Sequence, residues 1–166
     1  MKIKLVLFLT TILFSVCSYG ESMKVVEYPQ LPNLYIQTPS DWVVYEKKIF
    51  GIEPKNRELD VSGTVYRTNG KTLEEFANEK HNGILTKMNW YKHTTDSRDI
   101  LGMKYDGFIR DYEGVWPNEN EPTTYIVTVF KIEDYFLSLT FTGLSKIVEK
   151  NNQTIREICS SVGFNK

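Results

Sequence analysis

The strongest constraint on the fold comes from residues 124–142, where apolar and polar side chains alternate along two runs. The apolar positions of these runs are Tyr125, Val127, Val129, Tyr135, Leu137, Leu139 and Phe141. Alternation with a period of two is typical of β-strands that have one buried and one polar face. Only a few residues around Glu133 and Asp134 separate the runs, and so short a connection permits only an antiparallel hairpin. The sequence therefore predicts an antiparallel sheet.

Shorter alternating runs at residues 34–39, 42–45, 59–65 and 103–110 predict further strands. Two other segments have helical spacing. Thr72 and Glu75 form a capping box at the start of the first helix, which Gly83 weakens by about 1 kcal/mol relative to alanine. The second helix is expected from Ser145 onward, with Gly163 at its end. Strands, helix, strands and helix in this order predict an α+β fold, in which helices cover an antiparallel sheet.

Residues 1–20 have the features of a secretory signal rather than of a fold. Lys2 and Lys4 give a basic start, residues 5–17 are mostly apolar, and small residues stand before a cleavage position after Gly20. The segment is too short for a membrane span, so we expect residues 21–166 to be a single periplasmic or secreted domain without a transmembrane span. Lipid anchoring through Cys17 is the less favoured alternative, because Val16 stands where the lipoprotein peptidase prefers a small residue.

Charge and cysteine content argue against a nucleic-acid-binding protein and against a domain stabilised by disulfides. The chain has 20 basic and 21 acidic residues, and loss of the two lysines of the signal leaves a net charge near −3. This lack of basic excess makes a nucleic-acid partner unexpected. After cleavage Cys159 is the only cysteine, so no internal disulfide forms. Cys159 shares a helical stripe with Ile155 and Ile158, and we expect it to be buried and unreactive.

The sequence contains no recognised catalytic or metal-binding motif: G-x-S-x-G, P-loop, H-E-x-x-H and C-x-x-C patterns are all absent. His81 and His93 are the only histidines, expected at solvated positions on the first helix and on a polar strand. A metal site would require them to converge with a carboxylate such as Asp96 or Asp99. We therefore expect no catalytic residue, no cofactor and no metal.

The most unusual segment is 111–122, which joins two predicted strands and combines four carboxylates with two aromatic side chains. A protein-binding hairpin would use the aromatic side chains as anchors within an acidic rim. The candidate binding residues are Tyr112, Glu113, Trp116, Glu119 and Glu121. Alternatives are a calcium loop, a carboxylate pair for glycoside hydrolysis, and a solvated loop whose tryptophan packs onto the sheet.

Four short segments resemble the PsbP-like superfamily, which groups PsbP, the Ran-binding Mog proteins and DcrB-like exported bacterial proteins. Residues 35–42 (YIQTPSDW) are similar to the strand, proline and tryptophan that open this fold. Residues 72–77 resemble its first helix, 101–105 the start of a middle strand, and 160–164 the end of the terminal helix. The resemblance implies the α+β fold and a binding or accessory role, and it transfers no catalytic residue.

These features together predict an exported, non-enzymatic accessory protein of the bacterial periplasm, monomeric and acting on an unidentified protein partner. A narrower alternative is an immunity protein that neutralises a toxin of type VI secretion, because an acidic hairpin suits a basic cleft. An alternative of another class is a periplasmic hydrolase that uses carboxylates of the 111–121 loop.

Overall fold

The computed structural model describes residues 22–28, 31–46, 50–53, 58–97 and 104–165. The chain order of its strands and helices is β1 (Met23–Glu27), β2 (Leu34–Pro39), β3 (Val43–Glu46), β4 (Phe50–Glu53), β5 (Leu59–Arg67), α1 (Leu73–Lys87), β6 (Tyr91–Ser97), β7 (Gly107–Val115), β8 (Pro122–Ile132), β9 (Tyr135–Leu144), α2 (Ser145–Lys150), α3 (Asn152–Ser160) and β10 (Gly163–Phe164). The predicted signal, Cys17, Asp99 and the resemblance at 101–103 lie outside the described residues.

A seven-stranded antiparallel sheet with strand order β3-β4-β5-β9-β8-β7-β6 forms the centre of the fold. Its two longest strands, β8 and β9, form the predicted hairpin, in which Ile132 pairs with Tyr135 across the turn. Glu133 has a positive φ of 51°, as tight hairpin turns require. Strand β5 then pairs with β9 along its whole length. The predicted antiparallel sheet is thus confirmed.

Both faces of this sheet are covered, so that the domain has three layers. Helix α1 packs on one face, where Phe76 and Ile84 contact Val127, Val129 and Phe136. A small sheet of order β1-β2-β10, together with α2 and α3, covers the other face. Strand β8 therefore has apolar residues at both odd and even positions, that is, on both faces of the sheet. This explains why it carries more apolar residues than a strand with one buried face needs.

The helices agree with the sequence except at the C-terminal end. The capping box is present: the Glu75 amide donates to Thr72 Oγ1 (3.2 Å) and the Thr72 amide to Glu75 Oε2 (2.8 Å). The second helix, however, is interrupted at Asn151, whose side-chain amide donates to the Ile147 carbonyl (2.8 Å). Such a side-chain bond competes with the backbone ladder. Gly163 does not end a helix. It lies in β10 and pairs with Tyr35 of β2.

The strand predicted at residues 103–110 lies instead at Gly107–Val115 (β7), so that Tyr105 lies in a bend and residues 111–115 of the predicted connector belong to the strand. Cys159 is buried as predicted, with 1% of its side chain exposed. Among the described residues, no helix has the length and apolar character needed to cross a membrane.

Candidate protein-binding surface

The turn between β7 and β8 exposes an aromatic side chain beside an aliphatic one. Trp116 is 40% exposed and Val115 is 45% exposed, whereas the other two tryptophans are half-buried or buried. The Glu119 amide donates to the Trp116 carbonyl (3.0 Å), and Asn118 has a φ of 73°, which closes the turn. This ordered turn therefore presents Trp116 at one end of the central sheet.

Trp116 is held in place although it is exposed. Its indole Nε1 donates to Tyr91 Oη (2.7 Å), and Tyr91 Oη lies 3.1 Å from Thr123 Oγ1. The ring of Trp90 lies 6.2 Å from that of Trp116, at a tilt of 54°. Since Tyr91 is buried, this network ties the exposed indole to the core. A partner that covers Trp116 would therefore spend little entropy on fixing its rotamer.

A shallow groove of about 480 Å³ adjoins this turn. It is lined by Trp90, Lys92, Thr94, Glu113, Gly114, Val115 and Pro122. At Gly114 a Cβ atom would overlap the Trp90 carbonyl oxygen, so only glycine lets the two backbones approach here. Lys92 and Glu113 are opposite each other in the β6–β7 register and give the groove mixed charge.

The carboxylates predicted for the rim are on the surface. Glu113, Glu119 and Glu121 are all exposed. Glu121 pairs with Lys146 of α2 (2.5 Å), and both side chains are more than half exposed. Such an exposed pair contributes about 0–1 kcal/mol to stability, so Glu121 remains available to a partner at small cost.

Tyr112 is not part of this surface, which corrects the prediction made for it. Its side chain is fully buried beneath α1, and its hydroxyl lies 2.9 Å from His81 Nδ1. Strand β7 runs as far as Val115, and successive residues of a strand point to opposite faces. Tyr112 and Glu113 therefore cannot share a surface. The period-two rule, applied beyond Arg110, would have shown this.

The carboxylates of this segment do not assemble a recognisable metal site. Within the described ranges, no three His, Cys, Asp or Glu side chains are grouped so that they could hold an ion. Asp111 lies within the sheet, and its Oδ1 is buried with no hydrogen-bond partner among the described residues. Burial raises the pKa of Asp111, and the charges of Arg156 and His93 partly offset that rise.

A second cavity, of about 540 Å³, lies between α1 and the central sheet and was not predicted from the sequence. Its walls include Tyr66, Phe76, Gly83, Ile84 and Tyr125. Lys80 Nζ donates to Tyr66 Oη (2.5 Å) across it and joins the helix to β5. Gly83, the residue that weakens the helix, faces open space there.

Three solved structures with this arrangement show which fold the chain has. Cyanobacterial PsbP (CyanoP) from Synechocystis sp. PCC 6803 superposes with a TM-score of 0.64 at 10% identity, over 92% of this chain and 99% of that one. LpqN of Mycobacterium tuberculosis, a protein involved in cell envelope biogenesis, gives 0.64 at 12% identity over 87% and 91%. The Saccharomyces cerevisiae Ran-binding protein Mog1p gives 0.60 at 11% identity over 87% and 96%.

These similarities confirm the PsbP-like fold that residues 35–42, 72–77 and 160–164 predicted. At 10–12% identity they establish the fold and transfer no site residue. No family model matches the sequence, and no curated protein matches it either.

Proposed function

We propose that this chain is an exported, non-enzymatic accessory protein that binds another protein through the β7–β8 turn. The contact surface comprises Val115, Trp116, Glu119, Glu121 and the adjoining groove with Glu113. The observation that carries the proposal is that Trp116 is exposed and yet fixed by its hydrogen bond to Tyr91. Tryptophans that are rigid and exposed are characteristic of binding hot spots, since they bury a large area at low entropic cost.

Two features outside the turn support the proposal, one the accessory role and the other export. Mog1p is named for binding Ran and LpqN for cell envelope biogenesis, and both share the fold. The basic start and apolar run of residues 1–20 support export, with a mature N-terminus after Gly20. Intact mass of the exported chain tests this part separately: a diacylated Cys17 or an uncleaved chain would contradict it.

The binding part is tested by capture from periplasmic extract, followed by affinity measurement with the captured partner. Trp116→Ala should weaken binding at least about 30-fold, or about 2 kcal/mol, whereas Trp116→Phe, which keeps a ring but loses the donor, should weaken it less. Val43→Ala is the matched control, because Val43 is also 40% exposed but lies on the opposite edge strand, β3.

Melting temperature of the same variants separates binding from folding. The proposal requires a large loss of affinity with a small change in melting temperature. Affinity lost only in proportion to unfolding would assign Trp116 to the core and remove the site. Capture of a toxin would identify this protein as an immunity protein. Hydrolysis of a glycoside that Glu119→Gln or Glu121→Gln abolishes would overturn the non-enzymatic proposal.

A further inference from the structure

One helix cannot cover a whole face of the seven-stranded sheet. Seven strands at a spacing of about 4.8 Å span roughly 29 Å, whereas an α-helix with its side chains is about 10–12 Å wide. Helix α1 packs mainly over β6, β7 and β8, and the cavity of about 540 Å³ lies beside it, over β5, β8 and β9. The cavity therefore follows from the geometry of the layers, and its volume is that of a small-molecule site.

The inner surface of the cavity combines aromatic rings with hydroxyl groups. Tyr66 and Phe76 line it with ring centres 5.1 Å apart, and Tyr125 lines it from β8. Ser138 and Thr140 also line it, because residues two apart on a strand point to the same face. Rings that bind a flat apolar body, with a few hydroxyls that fix its orientation, are typical of ligand pockets.

The mouth of the cavity is basic, although the chain as a whole is slightly acidic. The described side chains that line the cavity include four cations and one carboxylate, a formal charge of +3, whereas the whole chain has −1. The carboxylate, Glu79, pairs with Lys71 (2.6 Å). The other three cations are Arg67, Lys80 and Lys87. Positive charge concentrated around a concave surface attracts an anion and disfavours a cation.

Lys80 brings one of these charges against the aromatic wall. Its Nζ donates to Tyr66 Oη (2.5 Å) and lies 4.0 Å from the centre of that ring and 5.5 Å from the centre of the Phe76 ring. Its contacts among the described residues are thus with aromatic groups rather than with a carboxylate. An ammonium group has three donors, and Tyr66 uses one of them. A ligand anion beside these rings can accept from the others.

We propose that this cavity binds a small aromatic carboxylate, with its rings against Tyr66 and Phe76 and its carboxylate at Lys80 Nζ. The three aromatic side chains of the lining favour an aromatic body over an aliphatic one, because ring pairs contribute beyond their buried area. The basic mouth attracts the anion, and a charge-assisted hydrogen bond from Lys80 fixes it. None of the residues of the β7–β8 turn lines this cavity, so the site is separate from the proposed protein-binding surface.

The test compares two probes that differ only in charge. The mature chain is titrated by calorimetry at pH 7.5 with 2-naphthoate and, in parallel, with its neutral isostere 2-naphthamide. We expect one naphthoate per chain and at least about tenfold weaker binding of the amide, which lacks the charge that Lys80 would pair. Equal affinity for the two probes, or no binding of naphthoate at millimolar concentration, would overturn the proposal.

A variant of Lys80 tests where the carboxylate lies. Lys80→Gln should weaken binding of naphthoate about tenfold and leave that of naphthamide unchanged, because only the anion uses the ammonium group. Lys92→Gln is the matched control, since Lys92 is exposed on the edge strand β6 and does not line the cavity. If Lys80→Gln weakened neither probe, or both equally, the assignment of the carboxylate would be wrong.

A variant of Gly83 tests whether the probes occupy this cavity at all. A Cβ atom at Gly83 would have no atom within 4 Å, so Gly83→Leu places a side chain in the cavity. It should abolish binding of both probes without lowering the melting temperature, because leucine favours a helix more than glycine does. Asn82→Leu, at the exposed neighbouring position of α1, should bind both as the wild type does. Unchanged affinity of Gly83→Leu would place the binding elsewhere and refute the site.

Discussion

Tyr28 and Gly63 fit together across the two sheets, the phenol of one occupying the space that a side chain would fill at the other. A Cβ atom on Gly63 of β5 would overlap Tyr28 Oη. Tyr28 follows β1 and is 1% exposed, and burial raises its pKa far above the usual 10.0, so that the phenol stays neutral. This contact joins the small sheet to the central one, and it depends on a glycine.

We therefore predict opposite effects of two glycine-to-alanine changes. Gly63→Ala should lower the free energy of unfolding by about 1–3 kcal/mol through overpacking, while Gly83→Ala should raise it by about 1 kcal/mol, because its position on α1 is open. Denaturant titration measures both. Adding Tyr28→Leu to Gly63→Ala should restore part of the loss. If the double variant showed simple addition of two losses, the two residues would not be coupled.

Cys159 should be inert in the folded protein. It lies in the stripe of α3 with Ile155 and Ile158, and burial raises its pKa to about 12. The thiolate is therefore scarce at neutral pH, and labelling by a thiol reagent should occur only at the rate of unfolding. Fast labelling without denaturant would contradict this. Cys159→Ser should cost roughly 1–3 kcal/mol, because it buries a more polar group.

Asp111 should lower stability when it is ionised. Because burial raises its pKa above the usual 3.8, the folded chain binds this proton more tightly than the unfolded chain does. The penalty is absent below pH 3.8 and complete once the pH exceeds the raised pKa. Asp111→Asn should thus raise the melting temperature at pH 7, by about 2–4 °C or less, and leave it unchanged at pH 3. Asp134→Asn, on the exposed turn, is the control. Destabilisation at pH 7 would refute the prediction.

Charge reversal at the β7–β8 turn should act mainly on the rate of association. Glu119→Lys and Glu121→Lys remove acidic rim charges, so association with a basic partner should slow and its salt dependence should decrease. Stability should change little, because the Glu121–Lys146 pair is exposed. Asp134→Lys on the β8–β9 turn, at the other end of β8, provides an exposed acid away from the β7–β8 turn. Stopped-flow measurement at two ionic strengths checks this, and equal rates for all three variants would contradict it.

The sequence was sufficient for β2, β5, β8 and β9, in which apolar and polar residues alternate, whereas β1, β4 and β10 were not predicted. It specified the β8–β9 hairpin and the cap of α1 from neighbouring residues alone. It was insufficient where tertiary contacts decide: the break at Asn151 depends on a side-chain bond to the Ile147 carbonyl, which helical periodicity does not reveal. The pairing of Gly163 with Tyr35 joins residues that are far apart in the chain.

The candidate site shows the same division. The acidic character of the turn and the expectation that Trp116 is a contact residue follow from composition, because a short connection has no need of a tryptophan. The hydrogen bond from the Trp116 indole to Tyr91 could not be predicted from composition, since it requires β6 to lie beside β7. Likewise, the positions of His81 and His93 in the sequence do not reveal that α1 packs at the edge of the sheet, where the centres of the two rings lie 5.1 Å apart.

The pairing order of the central sheet also has a kinetic consequence. Strands β8 and β9 are joined by two residues and can nucleate locally, whereas β5 finds its partner, β9, only after a chain segment of about seventy residues has closed. Strand β2 likewise cannot pair with β10 until the C-terminal residues are present. A chain emerging N-terminus first, from a ribosome or a translocation channel, therefore cannot complete its fold until the last third has followed.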